Sequence, residues 1–120
     1  ICWRTMIMTV HSNSRFVEKC DFITSPGFLT GAGAREAAGL PEGGPYKIIT
    51  DLAVMGFDEK TRVMMVESLH PGVEVDRVKA ETGFELVIPK QVGRTKPPTH
   101  EELQILREDV DPLRLVIGRA

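Results

Sequence analysis

Three groups of side chains in this sequence could do chemistry. The segment Gly31-Ala-Gly-Ala-Arg-Glu-Ala-Ala-Gly39 carries G-x-G after a strand-like run and before a stretch suited to a helical turn, the setting in which backbone amides can hold an anion or an acyl oxygen. It falls short of a dinucleotide fingerprint, because the third glycine position is Glu36, whose bulk and charge oppose a pyrophosphate and close helix packing. Two readings of the loop stand: a cradle built on Gly31 and Gly33, or glycines serving tight turns of an Ω-like surface loop. Ser25 of Ser25-Pro26-Gly27 can donate a hydrogen bond nearby. No base adjacent in sequence prepares it as a nucleophile, and Ser-Pro-Gly is also an ordinary turn.

The second group is Asp51, set in the most apolar stretch of the chain. A carboxylate there must be paired, hydrogen-bonded or turned to a cleft, and a satisfied structural role is the expected one. The third is the histidines. His11, His70 and His100 are far apart and match no H-x-x-x-H or C-x-x-C pattern, so no metal site is expected. His70, before Pro71-Gly72, reads as part of a strand-ending turn, and His100 as a solvated residue in the first turn of a helix. Glu101, Glu102, Glu108 and Asp109 read as the solvated face of that helix, with favourable charge near its N-terminus.

The elements that must position these groups follow from local pattern. Thr5 to Val10 mixes β-branched and apolar residues and predicts a strand; Cys20 to Thr24 predicts a second, ending where Pro26 removes a donor. Phe28 to Pro45 is irregular, with Ala34 to Ala38 its only helical segment. Lys47 to Phe57 is too continuously apolar for a sheet wetted on one face and predicts one central strand, with Asp51 inside it. Asp58-Glu59-Lys60 turns the chain into Arg62 to Leu69, a hairpin.

Val75 to Thr82 has helical spacing with Gly83 as its stop, and Phe84 to Ile88 predicts a short strand. Gly93 to Pro98, with two consecutive prolines, is an extended surface connector. Thr99 and Glu102 form a T-x-x-E capping box, and Leu103, Leu106 and Val110 recur at helical spacing after it. Strands alternating with short helices place residues 1–120 in the α/β or α+β class, as one domain with a connector near 93–98 and a terminal helix.

Composition narrows the partners. Fifteen basic and seventeen acidic side chains are spread without a basic stripe, so nucleic acid is not an expected partner. The longest apolar runs fall far short of the roughly 20 residues that span a bilayer, so no membrane partner is expected either. Hydrophobic residues at 42% and charged residues at 27% suit a cytosolic globular domain. Cys2 and Cys20, without secretory signals, read as reduced thiols. Ile1 to Val10 lacks the marks of a signal peptide, and a start inside a strand-like run suggests a fragment.

Four motifs in order, Asp21-Phe-Ile-Thr-Ser-Pro-Gly27, Ile49-Thr-Asp-Leu-Ala-Val-Met-Gly-Phe57, Ser68-Leu-His-Pro-Gly-Val73 and Thr82-Gly-Phe-Glu85, resemble class I coenzyme A transferase beta subunits of the glutaconate CoA-transferase type. The resemblance covers about residues 14 to 112. It implies the carboxyl-terminal half of such a subunit: an open α/β sheet with flanking helices, working with an alpha subunit and a missing amino-terminal half.

It further implies a cytoplasmic enzyme that moves CoA between carboxylic acids, with acyl-CoA as substrate and no resident cofactor. By similarity the loop of Ser25, Gly27, Gly31 and Gly33 approaches the substrate cleft. The family's nucleophilic glutamate has no match here, since Glu18, Glu36 and Glu42 stand in the wrong context, so no catalytic residue is expected in this chain. Relatives without that glutamate hydrolyse carbon-carbon bonds in cyclic acyl-CoA compounds, which is the alternative activity; a non-catalytic assembly domain is the alternative of another class.

Overall fold

The computed structural model describes residues 3–118. Its frame is an open five-stranded sheet whose spatial order follows the chain: β1 (Arg4–Met8), β2 (Gly44–Ile49), β3 (Ala53–Phe57), β4 (Met64–Leu69) and β5 (Gly93–Arg94). β1 runs parallel to β2, β2 to β4 form an antiparallel meander, and β5 runs parallel to β4. Each parallel pair requires a crossover. The first contains the single turn α1 (Ala34–Ala37) and the second α2 (Val75–Ala80). This is the α/β open sheet with flanking helices that the resemblance implies.

One correction concerns the central strand. Lys47 to Phe57 is two strands, because the chain reverses at Thr50-Asp51-Leu52. The Thr50 hydroxyl accepts the backbone N–H groups of Leu52 (3.2 Å) and Ala53 (3.0 Å), and Thr50 N–H donates to the Ala53 carbonyl at 2.9 Å. A side chain that captures the local amides offers the backbone a turn in place of a ladder. The expected reversal at Asp58 is present and built the same way, with the Asp58 carboxylate accepting Thr61 N–H (2.7 Å) and Lys60 N–H (3.1 Å).

Two predicted strands are absent. Cys20 to Thr24 stays irregular, with Phe22 81% exposed: the segment joins no ladder of the sheet, and its apolar side chains find no face to pack on. Phe84 to Ile88 makes only a bridge, Val87 against Met65, before Pro89. Gly83 also has a different reason than a helix stop. Its N–H donates to the Phe16 carbonyl at 2.7 Å, and a Cβ there would lie 2.7 Å from that oxygen, so the two backbones approach too closely for a side chain.

The core forms on one face of the meander. Register aligns Ile48 with Met55 and Met55 with Val66, a cross-strand apolar row of the kind that stabilises antiparallel pairs. Leu52, Ala53 and Leu69 extend it, and Val78 of α2, Val73, Leu86 and Phe16 close over it. Full burial of a side chain such as Met55 or Val66 contributes about 1.5–3 kcal/mol. The edge differs: every residue of β1 is exposed, Met6 and Met8 on one side and Ile7 on the other.

The last helix, α3 (His100–Ile105), opens on the predicted box. Thr99 N–H donates to Glu102 Oε2 (2.7 Å) and Glu102 N–H donates to Thr99 Oγ1 (3.2 Å). It continues as a wider π-helical turn over Leu106–Val110, and Asp111 ends it by accepting the N–H groups of Leu115, Val116 and Ile117. None of its residues is buried. Among the described residues no helix is long and apolar enough to cross a membrane.

Candidate functional site

Strand alternation that turns Ile48, Met55 and Val66 into the core turns Lys47, Gly56 and Glu67 to the opposite face. Lys47 on β2 and Glu67 on β4 form an ion pair that reaches across the intervening β3 at Gly56. A Cβ at Gly56 would collide with the Glu67 carboxylate. Glycine there makes the bridge possible.

Lys47 and Glu67 line a cleft of about 400 Å³. Its walls are Trp3 and Arg4 at the start of β1, the Gly43-Gly44-Pro45-Tyr46 entry to β2, Phe28 from the crossover loop, and Phe57, Glu59 and Arg62 from the β3–β4 turn. The Arg4 guanidinium lies over the Tyr46 ring at 4.7 Å, and that of Arg62 over Phe28 at 5.2 Å. Phe28 meets Phe57 edge-on at 5.0 Å. Arg62 has a φ of 61°, an uncommon setting for a residue with a Cβ. A smaller cleft of about 240 Å³ adjoins it, sharing Trp3, Phe28, Gly43 and Arg62 and adding Gly31, Gly33, Arg35, Glu36 and Glu42.

The four residues assigned to substrate binding fall in two places. Gly31 and Gly33 line the smaller cleft, whereas Ser25 is exposed and lines neither cleft and Gly27 packs near Pro45. Gly31 has φ 120° and its N–H donates to the Phe28 carbonyl at 3.0 Å; Gly33, at φ 77°, precedes α1. Arg35 organises this loop, donating to the carbonyls of Pro26, Gly27 and Pro41 at 2.8–3.0 Å. Glu36 and Glu42 line the same cleft and Glu18 is exposed outside it.

Asp51 and two of the histidines belong to the fold. Asp51 sits in the β2–β3 turn, not inside a strand, and accepts the His11 backbone N–H at 2.7 Å, a bond that holds its carboxyl below the usual carboxylate range. His11 is 2% exposed, stacked on Phe16 at 4.2 Å, with Nε2 2.9 Å from Thr82 Oγ1 and Nδ1 3.2 Å from Thr50 Oγ1. The Thr82 hydroxyl donates to the Val78 carbonyl at 2.7 Å, so it accepts from His11 Nε2–H. The Thr50 hydroxyl stands 3.1 Å from the Ala53 carbonyl, to which it donates, and 3.2 Å from Nδ1, so its one proton is shared between two acceptors.

Burial pushes the His11 pKa down from its ordinary 6.5, with Glu81 and Asp51 acting in the other direction. His70 holds the other side of the same turn, in keeping with its expected place at a strand end: its Nε2–H donates to the Thr50 carbonyl and its Nδ1 meets Thr95 Oγ1, both at 2.8 Å. His100 is exposed. Among the described residues no group of three or more His, Cys, Asp or Glu could hold a metal ion. Cys20 is exposed, and Cys2 lies outside the described residues.

Sequence reasoning missed Arg4, Tyr46, Lys47, Arg62 and Glu67, because only the β-register brings them together. One signal was present: Lys47 and Glu67 are lone charges within apolar runs, and the glycine of Val54-Met-Gly-Phe57 lies on the strand between them.

Comparison with known proteins gives this geometry a lineage. Residues 2–81 match the family described as Coenzyme A transferase. The chain is 38% identical over 109 residues to the B subunit of glutaconate CoA-transferase from Acidaminococcus fermentans, covering 90% of this chain and 41% of the relative. The crystal structure of glutaconate coenzyme A-transferase from that organism superposes with a TM-score of 0.90 at 35% identity, over 98% of this chain and 45% of the other.

The B subunit of 3-oxoadipate CoA-transferase from Pseudomonas knackmussii is 41% identical over 102 residues, 85% of this chain and 39% of the relative. The cholesterol ring-cleaving hydrolase IpdB subunit of Rhodococcus jostii is 37% identical over 70 residues, 58% and 28% respectively. The chain thus spans well under half the length of these relatives, and it belongs to the coenzyme A transferase family.

Proposed function

We propose that this chain is the carboxyl-terminal part of one subunit of a cytoplasmic enzyme that moves coenzyme A between carboxylic acids, with an alpha subunit and the rest of its own subunit as partners. The alignment of 90% of the chain with the B subunit of glutaconate CoA-transferase carries this reading. The exposure of β1 on both faces supports the need for partners, since a strand in a parallel pair is ordinarily covered on both sides. The acyl-CoA thioester is substrate, and no resident cofactor is invoked. Ser25, Gly27, Gly31 and Gly33 form the loop that approaches it.

In the proposed reaction a glutamate outside this chain attacks the thioester carbonyl, forming a mixed anhydride and releasing CoA thiolate. The thiolate attacks the enzyme's own carbonyl of the anhydride, freeing the first acid and leaving an enzyme–CoA thioester. The acceptor carboxylate repeats the two steps in reverse order, which yields the new acyl-CoA and restores the glutamate. The chain's own part is to wall the cleft and exclude water from the anhydride.

The test is to assemble the complete enzyme with its alpha subunit and supply an acyl-CoA with isotope-labelled acetate or glutaconate. Labelled acyl-CoA is the expected product. The relationship to the ring-cleaving hydrolase favours the second reading, which predicts hydrolysis of a cyclic acyl-CoA and no label exchange. Neither exchange nor hydrolysis would leave the assembly-domain reading.

A further inference from the structure

One buried titratable group takes no part in the proposed transfer. His11 follows β1, is 2% exposed, and ties three separate stretches of chain together. Its backbone N–H donates to Asp51 Oδ1 at 2.7 Å, which carries the β1–β2 pairing one step past the bond from Thr9 N–H to the Ile49 carbonyl (3.1 Å). Its ring reaches Thr50 of the β2–β3 turn through Nδ1 at 3.2 Å and Thr82, just after α2, through Nε2 at 2.9 Å. Phe16 stacks on the ring at 4.2 Å with its plane tilted by only 8°.

A second ring proton has no place in this network. A hydroxyl has one proton to give and two lone pairs to receive. The lone pairs of Thr50 Oγ1 already accept Leu52 N–H at 3.2 Å and Ala53 N–H at 3.0 Å, and its proton lies between the Ala53 carbonyl and His11 Nδ1. A proton on Nδ1 would aim a donor at an oxygen with no acceptor left, so Thr50 must release an amide or the ring must turn away. Thr82 opposes the turning, because its hydroxyl donates to the Val78 carbonyl at 2.7 Å and holds Nε2–H as an acceptor. Leu52 is 2% and Ala53 0% exposed, so an amide released there stays unpaired until the turn opens to water.

We propose that His11 is a proton-operated latch: its neutral ring clasps the β2–β3 turn to the exit of β1 and the end of α2, and a second ring proton releases that turn while the rest of the sheet stays folded. The latch does not depend on the proposed transfer of CoA. The charges around the ring set where it operates. Burial pushes the His11 pKa below its ordinary 6.5 and outweighs Glu81 at the end of α2 and Asp51 in the turn, which both favour the added proton. Arg77 of α2 pairs with Glu81 at 3.2 Å and also acts on Asp51. On the stretch that carries Phe16, Arg15 is bonded to Thr9 Oγ1 at 2.7 Å, and across the turn His70 donates to the Thr50 carbonyl at 2.8 Å. Release therefore belongs to mildly acid pH.

The experiment is amide hydrogen exchange, read by mass spectrometry on the complete two-subunit enzyme from neutral to mildly acid pH and corrected for the intrinsic pH dependence of exchange. Wild type, His11→Gln and His70→Gln are compared. In the wild type, peptides covering the Thr50–Ala53 turn and the Val78–Thr82 helix end are expected to open more as pH falls below 6.5, by up to about 10-fold per pH unit for one coupled proton. Peptides at the Asp58 end of the β3–β4 hairpin should keep their protection. His11→Gln should abolish the pH dependence, and His70→Gln should retain it.

Should His11→Gln not fold, exchange of the imidazole C2 hydrogens in the wild-type enzyme replaces it, and the His11 titration is expected to share its pH range with the opening of the turn. A turn equally protected at both ends of the pH range overturns the latch. So does an opening that persists in His11→Gln, one that vanishes in His70→Gln, or a His11 titration that falls in a different pH range. An opening of the whole sheet at once overturns it too, since the proton then unfolds the subunit and releases no single turn.

Discussion

The two faces of the β2–β4 meander solve opposite problems with alternate residues of the same strands. On the core face Ile48, Met55 and Val66 pack in register, and the polar groups beside them are closed off: both ring nitrogens of His11 are bonded, and the Thr50–Leu52 turn is clasped by His11 on one side and His70 on the other. On the opposite face a glycine stands where β3 could carry a side chain, a lysine and a glutamate bridge over it, and two arginines stack on aromatic rings with no ion pair among the described residues. A face whose polar groups are all satisfied from within resists change and offers nothing to a ligand. The other keeps open volume, to which the proposed function gives a use. Neighbouring substitutions should therefore separate stability from ligand affinity.

Met55 and Gly56 make the sharpest contrast. Met55→Ala removes a fully buried side chain from the core row and should cost about 3 kcal/mol in urea unfolding of the complete subunit. Gly56→Ala should change stability by less than about 1 kcal/mol, because the carboxylate it meets is the flexible end of Glu67, yet by displacing that carboxylate from Lys47 it should alter CoA affinity. If Gly56→Ala destabilises as much as Met55→Ala with affinity intact, the two faces do not differ as described.

A smaller effect appears with pH. The folded chain disfavours protonated His11, so below the ordinary pKa of 6.5 the unfolded chain binds more protons and stability falls as pH drops. The slope for one proton is at most about 1.4 kcal/mol per pH unit. Asp51, Asp58, Glu102 and Asp111 are held below their ordinary carboxylate values, so their contributions are present above those values and disappear only at lower pH. Unfolding between pH 7 and 5 should show the loss in the wild type and a flatter profile in His11→Gln. Equal slopes would mean that His11 titrates alike in both states.

The glycine loop can be divided next. At Gly31 a side chain would carry both a φ of 120° and a Cβ 3.0 Å from the Thr61 carbonyl, whereas at Gly33 the space is open and only the φ of 77° resists. Gly31→Val should lower both Tm and turnover, and Gly33→Ala should cost about 1 kcal/mol while reducing acyl-CoA turnover more than folding. Normal turnover in folded Gly33→Ala would reduce these glycines to turn formers. The smallest effect is expected at the exposed last helix, where Thr99→Ala removes a capping box worth about 1 kcal/mol and should lower helicity there without touching CoA affinity.

What the sequence made legible was local. The capping box, the Asp58 reversal and the α2 segment each depend on residues a few positions apart, and each formed. The reversal at Thr50 is not legible, because an apolar run carries no mark of where it folds back; it depends on one hydroxyl capturing two amides. Cys20 to Thr24 has the propensity of a strand, but a strand holds only where a ladder and a packed face reward it, and Phe22 and Ile23 stay exposed against no partner among the described residues. The cleft is invisible for the same reason at longer range. Arg4, Tyr46 and Arg62 meet only through a parallel crossover and a hairpin, and no spacing in one dimension encodes that. The four ordered motifs led to the family without resolving any of these contacts.

The claim that this chain supplies walls and partners to a CoA transferase, and not its nucleophile, is most directly tested by covalent trapping. The isolated chain and the complete two-subunit enzyme are each incubated with acyl-CoA, reduced with borohydride and measured by intact mass and peptide mapping. The account predicts an unmodified isolated chain and, in the complete enzyme, a modified glutamate outside these 120 residues. A trapped adduct on Glu18, Glu36 or Glu42 would contradict it.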